Sequence, residues 1–314
     1  MKEIKVLAPA TIANLVCGFD ILGMALKEPY DEMTLALKDE PGITIVHTDE
    51  FDLPEEPEQN VSGVALQSLM EEYNKPVGFN LTIHKNIKPG SGLGSSAASS
   101  AGAVVAANHL LGNIFSKEDL VRFAMNGEKI AGGVKHADNV SPCIYGGVTL
   151  IRSIFPLDII PLNVPPLFIT IVHPQIEVRT SDSRQILRKT VQLKDAIKQW
   201  GNIGGLVMGF MNSDSELIGR SLEDVIIEPV RSILIPGFDE IKKSCKEAGS
   251  LGGGISGSGP SIFMVNKTEE TARKVEKIMS GIYEKIGVDY KTYVTSINTT
   301  GVKIVDNDEC CKEI

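Results

Sequence analysis

Positive charge is in short supply in this 314-residue chain. Its 31 lysines and arginines stand against 40 aspartates and glutamates, a formal net charge of −9. That deficit argues against nucleic acid or an anionic membrane as the main partner, so an anionic ligand has to be held by local donors. Paired cysteine motifs are missing too. Cys17, Cys143, Cys245, Cys310 and Cys311 form no CxxC pair, so neither a zinc ribbon nor a redox motif is indicated, and a reducing compartment is expected. The adjacent Cys310 and Cys311 read as part of a frayed tail. No uninterrupted apolar run spans a bilayer: Ile154 to Val172 contains Asp158 and four prolines. The opening MKEIKVLAPATIANLVC is broken by Glu3 and Lys5 and alternates like a strand rather than a leader. A cytoplasmic protein is therefore expected. There are no internal repeats and no low-complexity tract.

What is present is ordinary globular composition, 42% hydrophobic and 23% charged, in a chain long enough to bury a sizeable core. Period-two runs at Ile4–Ala8, Met33–Leu37, Ile43–His47 and Leu81–Lys85 predict strands. Asp49 to Gln59 reads as an acidic surface loop. Helical spacing follows at Val61–Tyr73, Ser96–Leu111 and Ser116–Ile130, the last opened by a Ser116/Asp119 capping box. Pro156, Pro161, Pro165 and Pro166 suggest a passage between domains near residue 160. Beyond it, Phe168–His173, Ser261–Val265 and Tyr290–Ile297 read as strands. Asp182–Lys189, Leu193–Met211, Phe238–Ala248 and Glu269–Tyr283 read as helices. The mixture lacks the regular alternation of a doubly wound sheet, so an α+β chain of two domains, 1–160 and 161–314, is expected.

The most informative segment is PGSGLGSSAASSAGA, Pro89 to Ala103. Gly90, Gly92 and Gly94 permit tight turns at positive φ and leave amides uncovered. They feed a helix of small residues opened by Ser95 and Ser96. Several amides and a helix dipole then point at one place, which suits a polyphosphate. It is neither a Walker loop, lacking the Gly-Lys-Ser/Thr end, nor a G-x-G-x-x-G dinucleotide fingerprint. The competing reading is a flexible linker or a tight strand–helix corner. A second cluster, GGGISGSGPS (Gly252 to Ser261), is either a turn with a bulge or a backbone bare enough to approach a ligand or the first loop.

Together, APATIANLVCGFD (Ala8 to Asp20), PGSGLGSSAA and GGGISGSGPS resemble, in order, the three motifs of the GHMP small-molecule kinases. HADNVSPCIYGG (His136 to Gly147) and EPVRSILIPGF (Glu228 to Phe238) resemble the branch that phosphorylates homoserine. The likeness covers nearly the whole chain. Val16-Cys17 stand where the first motif often has Gly-Pro. The resemblance implies a ribosomal-S5-like N-terminal domain with a left-handed βαβ unit and a ferredoxin-like C-terminal domain. It implies transfer of the γ-phosphoryl group of ATP, with Mg2+, to the side-chain hydroxyl of L-homoserine, a step toward threonine.

Such a transfer needs positioning and charge neutralisation. ATP is expected on Pro89, Gly90, Ser91, Gly92, Leu93, Gly94, Ser95 and Ser96, with Asn60 and Val61 near the adenine by resemblance. By resemblance, magnesium is assigned to Glu128 and Ser96; spacing adds only that Glu128 falls at i+8 from Leu120 on the inward face, a pattern that a helix-end carboxylate bonded to a lysine shares. Asp20 is expected to hold the substrate ammonium with Asn14 beside it, and Arg184 and Arg231 to clamp its carboxylate. Each arginine alone would read as a surface charge. By resemblance, His136 lies in the substrate pocket, Asn139 contacts the hydroxyl and Thr180 the phosphoryl group. No general base is named; Asp138 is the nearest candidate. A homodimer is carried as an expectation that the residues do not fix. The competing functions are a GHMP kinase for a sugar or isoprenoid alcohol, and a non-catalytic nucleotide-binding module. The Asn-Leu-Ile-Gly-Glu-His stretch of sugar kinases is absent.

Overall fold

The computed structural model describes residues 2–133, 135–178 and 180–305; the side chains of Thr180 and Ser181, and Cys310 and Cys311 altogether, lie outside what it describes. The chain opens with β1 (Glu3–Ala13), β2 (Leu22–Lys38) and β3 (Gly42–His47), followed by α1 (Val61–Tyr73), β4 (Gly78–His84), α2 (Ser95–Leu110), α3 (Lys117–Gly132) and α4 (Val140–Tyr145). The strands β5 (Val148–Ile154) and β6 (Leu157–Leu162) complete this half. They build a sheet on the long β2, which pairs with β1, with β4 and, through Leu22 to Met24, with β5. Strands β3 and β4 pair in parallel across α1, a βαβ unit.

Three helices cover this sheet, and small residues set how closely they approach. A Cβ on Gly102 of α2 would come within 2.4 Å of Met33 Sδ on β2. One on Gly127 of α3 would meet Val61 O of α1 at 2.3 Å. The Ser-Ala-Gly run of α2 thus presses the helix onto the strands, with Ala97, Ala98, Ala101 and Val104 buried. The start of α2 and the end of α3 are brought side by side.

The second half contains β7 (Phe168–Pro174), α5 (Thr180–Gln185), α6 (Leu193–Met211), α7 (Ser215–Ser221), α8 (Glu228–Arg231), α9 (Phe238–Glu247), β8 (Gly252–Ile255), β9 (Ile262–Asn266), α10 (Glu269–Ile286), β10 (Tyr290–Ser296) and β11 (Lys303–Val305). Its antiparallel sheet has the order β10-β7-β9-β8, the strand order of a ferredoxin-like unit. Val172, Ile241, Ile262, Met264, Val275 and Tyr283 form its core. Between the halves the chain changes sheets, from β6 ending at Leu162 to β7 starting at Phe168. Strand β11 then returns to pair with β1, completing a seven-stranded first sheet.

Helices α1 and α6 have the bounds their spacing predicts, and Ser116 and Asp119 form the expected capping box. Two readings need correction. Helix α5 ends at Gln185, not Lys189, because Leu187 N bonds back to Arg184 O and tightens the chain into a turn. The first part of the second glycine cluster is strand β8, stripped of side chains because its neighbours leave no room: a Cβ on Gly253 would lie 2.0 Å from Phe263 O. The proline-rich stretch includes strand β6, where Pro161 is tolerated because, among the described residues, β6 is an edge strand paired only with β5.

Candidate active site

A cleft of about 780 Å³ opens where the start of α2, the end of α3, the β1–β2 loop, α5, α8 and the β8–β9 loop converge. That volume lies in the range of small-molecule sites.

The glycine loop forms one wall. Gly90, Gly92 and Gly94 all have positive φ, at 74°, 79° and 69°. Gly94 is the N-cap of α2 and supplies no side-chain cap, so the first-turn amides of α2 are left for a ligand. Pro89, Gly90, Gly92, Gly94, Ser95 and Ser96 line the cleft. Ser91 and Leu93 do not; both are buried behind the loop, where Ser91 Oγ accepts from Leu93 N and Leu93 O accepts from Thr11 N. The second glycine cluster docks on the first: Ser256 Oγ donates to Gly92 O at 2.6 Å. Val61 lines the cleft together with Leu53. Asn60 precedes Val61 as the N-cap of α1. Its Oδ1 caps α1 at Ser62 N, and its Nδ2 donates to Pro54 O.

Glu128 projects from α3 into the cleft, where Ser96 Oγ donates to its Oε2 at 3.1 Å. Its Oε1 is buried with no partner among the described residues. Burial pushes this carboxyl up to about 7, against the bond from Ser96 and the charge of Lys85. A partnerless carboxylate oxygen next to a hydroxyl and a phosphate-ready helix start is what a hard cation would satisfy. The donor set therefore fits Mg2+, which takes few protein ligands and completes its shell with water and phosphate oxygens. Among the described residues no cluster of three or more His, Cys, Asp or Glu forms a closed metal cage.

The far end is charged. Arg184 Nη2 donates to both oxygens of Asp20, at 2.8 and 3.0 Å. The expected separation of these two groups onto different ends of a substrate is therefore replaced here by a direct ion pair, made 164 residues apart in sequence. Arg231 is buried and tethered by backbone carbonyls: Nε donates to Ser183 O and Nη1 to Gly257 O. Burial first, then the charge of Arg184, brings its pKa down to about 10, so it stays charged. Asn14 Nδ2 donates to the same Gly257 O, and its Oδ1 accepts from Asp20 N. Asn14, Leu15, Val16 and Asp20 all have positive φ. At Val16, a β-branched residue at 67°, this is a real outlier, held by the surrounding packing.

His136 lines the same corner, with Nδ1 3.5 Å from Arg184 Nη2 and 3.7 Å from Asp20 Oδ1. Burial holds its pKa below the usual value, so the ring is neutral. With Nδ1 facing a guanidinium donor, the proton sits on Nε2, a buried atom without a partner among the described residues. Asn139 Oδ1 accepts from Thr11 Oγ1 at 2.8 Å, which leaves its amide nitrogen for a ligand. Asp138 is buried in the cleft wall, its carboxyl pushed up to about 7 by burial and then by the charge of Asp20.

The cleft also recruits residues that sequence reasoning passed over. Phe19 has the Arg184 Cζ at 5.6 Å and the Arg231 Cζ at 5.0 Å from its ring centre. Its place between Gly18 and Asp20 was the only available signal. Lys85 ends a strand-like run and gave no sign that its ammonium turns inward to the start of α2.

Comparison with known proteins shows the family. The family model for the GHMP kinases N-terminal domain matches residues 60–147, and that for the GHMP kinases C-terminal domain matches residues 206–285. Homoserine kinase of Chloroherpeton thalassium is 44% identical over 91% of this chain and 94% of its own length. That of Chlorobium phaeobacteroides is 44% identical over 97% of this chain and 100% of its own. The crystal structure of homoserine kinase from Cytophaga hutchinsonii superposes with a TM-score of 0.93 at 46% identity, covering 97% of this chain and 98% of that one.

Proposed function

The chain belongs to the homoserine kinases of the GHMP superfamily, and from that premise we infer how its cleft divides the work. The reaction is transfer of the γ-phosphoryl group of ATP to the side-chain hydroxyl of L-homoserine, giving ADP and O-phospho-L-homoserine on the way to threonine.

The nucleotide's phosphates lie along Gly90 to Ser96, with the open amides of α2 facing them and Val61 and Leu53 toward the base. Glu128 and Ser96 hold magnesium, which, when bound, offsets charge on the phosphates. The amino acid enters the charged corner. Asp20 takes its ammonium; Arg184, released from Asp20, and Arg231 take its carboxylate; Asn14 and His136 complete the pocket. Asn139 offers its free amide N–H to the hydroxyl oxygen and so orients it. Thr180, at the start of α5, is assigned to the transferring phosphoryl group. No side chain is assigned as base. With a loose transition state the hydroxyl loses its proton late, and alignment carries most of the catalysis. The division near residue 160 fits this plan, the nucleotide on residues 1–160 and the substrate arginines on 161–314.

The observation that carries the reading is a single cleft that joins a bare helix start, an orphaned carboxylate oxygen and fixed charges of both signs. A coupled ADP-release assay with homoserine, threonine, shikimate, mevalonate and galactose at fixed ATP and magnesium tests it. Turnover is expected with homoserine well above the others. Equal turnover of mevalonate or galactose, or none of homoserine, overturns it.

Two finer points belong to the same reading. Cys17, Cys143 and Cys245 are buried free thiols, which suits a reducing cytoplasm. Among the described residues no helix is long and apolar enough to cross a membrane. Helix α6 carries an exposed apolar stripe, Leu193, Ile197, Trp200, Met208 and Met211, broken by bare Gly201 and Gly204. The stripe has bulky ends and a thin middle, a shape that fits a second copy of itself run antiparallel, and we assign it as the face of a homodimer.

A further inference from the structure

One buried charged pair has no task in the reading above. Lys85 follows β4, borders the cleft and is buried. Its ammonium has three protons and three acceptors: Asp31 Oδ2 at 2.5 Å, Ser95 O at 3.0 Å and Ser99 Oγ at 2.6 Å. Asp31, on β2, is fully buried; its other oxygen accepts from the amides of Asn86 and Ile87 at 2.8 and 2.9 Å. Ser95 Oγ closes the circuit by donating to Ile87 O at 2.7 Å.

Both ends of the glycine loop are therefore tied to one another and to the sheet. At its entrance, Ile87 has its N–H and its carbonyl fixed. At its exit, Ser95 has its carbonyl and its hydroxyl fixed. The charge of Lys85 is matched by Asp31 and every ammonium proton is engaged, so this lysine does not itself grip a phosphate. Nor is stability a sufficient reason for the pair: a buried ion pair contributes about as much as the apolar residues that would replace it, or less. What apolar residues cannot do is set a register through directed bonds.

We propose that Lys85, paired with Asp31, is a positioning residue for the nucleotide, stapling the entrance of the glycine loop to the first turn of α2 so that the loop's amides point into the cleft. The proposal rests on the reading of that loop as the phosphate site.

The test uses the full chain and three variants: Ser99→Ala, Lys85→Met, and Lys85→Met with Asp31→Asn. ATP affinity is read by calorimetry without homoserine, KM for each substrate by steady-state kinetics, and folding by thermal melting. Ser99→Ala removes one acceptor and is expected to melt near wild type with ATP bound several-fold more weakly. Lys85→Met leaves Asp31 buried and unpaired, so a lowered melting temperature and at least a tenfold higher KM for ATP are expected, with KM for homoserine within twofold. The double variant removes the unpaired charge. It is expected to recover most of the melting temperature while ATP stays at least tenfold weaker. A double variant that regains wild-type ATP affinity along with stability, or a Ser99→Ala variant with unchanged ATP affinity, makes the pair a mere structural brace and overturns the proposal. A rise in both KM values together does the same. Wild-type protein that binds no ATP sinks the nucleotide reading and the staple with it. Wild-type turnover beside indifferent variants sinks the staple alone.

Discussion

Phe19 keeps two like charges in one corner. Arg184 and Arg231 both face its ring, within 6 Å of the centre, and the electron-rich face offsets part of their repulsion by about 0.5–2 kcal/mol. Replacing Phe19 with Leu retains bulk and removes the π face. Steady-state kinetics should show KM for homoserine rising about two- to thirtyfold with KM for ATP unmoved, and Phe19→Tyr should restore it. An unchanged homoserine KM in the Leu variant removes the ring from recognition. Asp138 makes a prediction about pH. Burial and the charge of Asp20 raise its pKa from 3.8 to about 7. Its contribution to stability is therefore complete below about 4 and is lost as pH climbs through 7. Glu128 and Glu228, also held near 7 chiefly by burial, have the same sign. His173, brought down from 6.5 to about 4 by burial, acts from the other side: its contribution is lost as pH falls from 6.5 toward 4. The ligand-free protein should melt lower at pH 8 than at pH 6.5, and Asp138→Asn should flatten that slope. A slope unaltered by the substitution would show that this carboxyl titrates normally.

Between elements, the two glycine clusters act as a fitted pair. Gly90 and Gly92 share nearly the same φ, but their surroundings differ. A Cβ on Gly90 meets nothing within 4 Å, whereas one on Gly92 would stand 2.6 Å from Ser256 O and 2.7 Å from Gly259 O, backbone atoms that cannot swing aside. Gly90→Ala should cost about 1–2 kcal/mol, the price of the left-handed conformation alone. Gly92→Ala should cost more, push the β8–β9 loop away and raise KM for ATP. Thermal melting of the two variants checks the ranking, and equal losses would deny the docking. Patterns of this kind also explain what could be read beforehand. Periodicity placed α1, α6 and the inward face bearing Glu128, because a repeat of 3.6 survives in a linear string. The short α4, α7 and α8 carry too few turns to show a period. The pairing of Asp20 with Arg184 and the inward turn of Lys85 join residues far apart in sequence, and no local spacing records them. Resemblance places Asn60 near the base, and the capping of α1 by its side chain is a second role that only the structure displays.

For the molecule as a whole, the exposed stripe on α6 is a departure from a polar surface, with Leu193 67% and Trp200 61% exposed. Light scattering should give twice the chain mass for wild type and a single chain for Trp200→Glu, with the circular dichroism of both alike. A wild-type monomer removes the dimer. The return of β11 to the first sheet has a consequence of another kind. Val305 lies opposite Lys5 and β11 runs against β1, so the end of one strand emerges beside the beginning of the other. A linker of a few residues would join Val305 to Glu3, and new ends cut into the acidic segment before α1 would leave every sheet ladder intact. The fold is thus topologically close to a ring, and a circularly permuted chain should reach the same active structure by a different order of assembly.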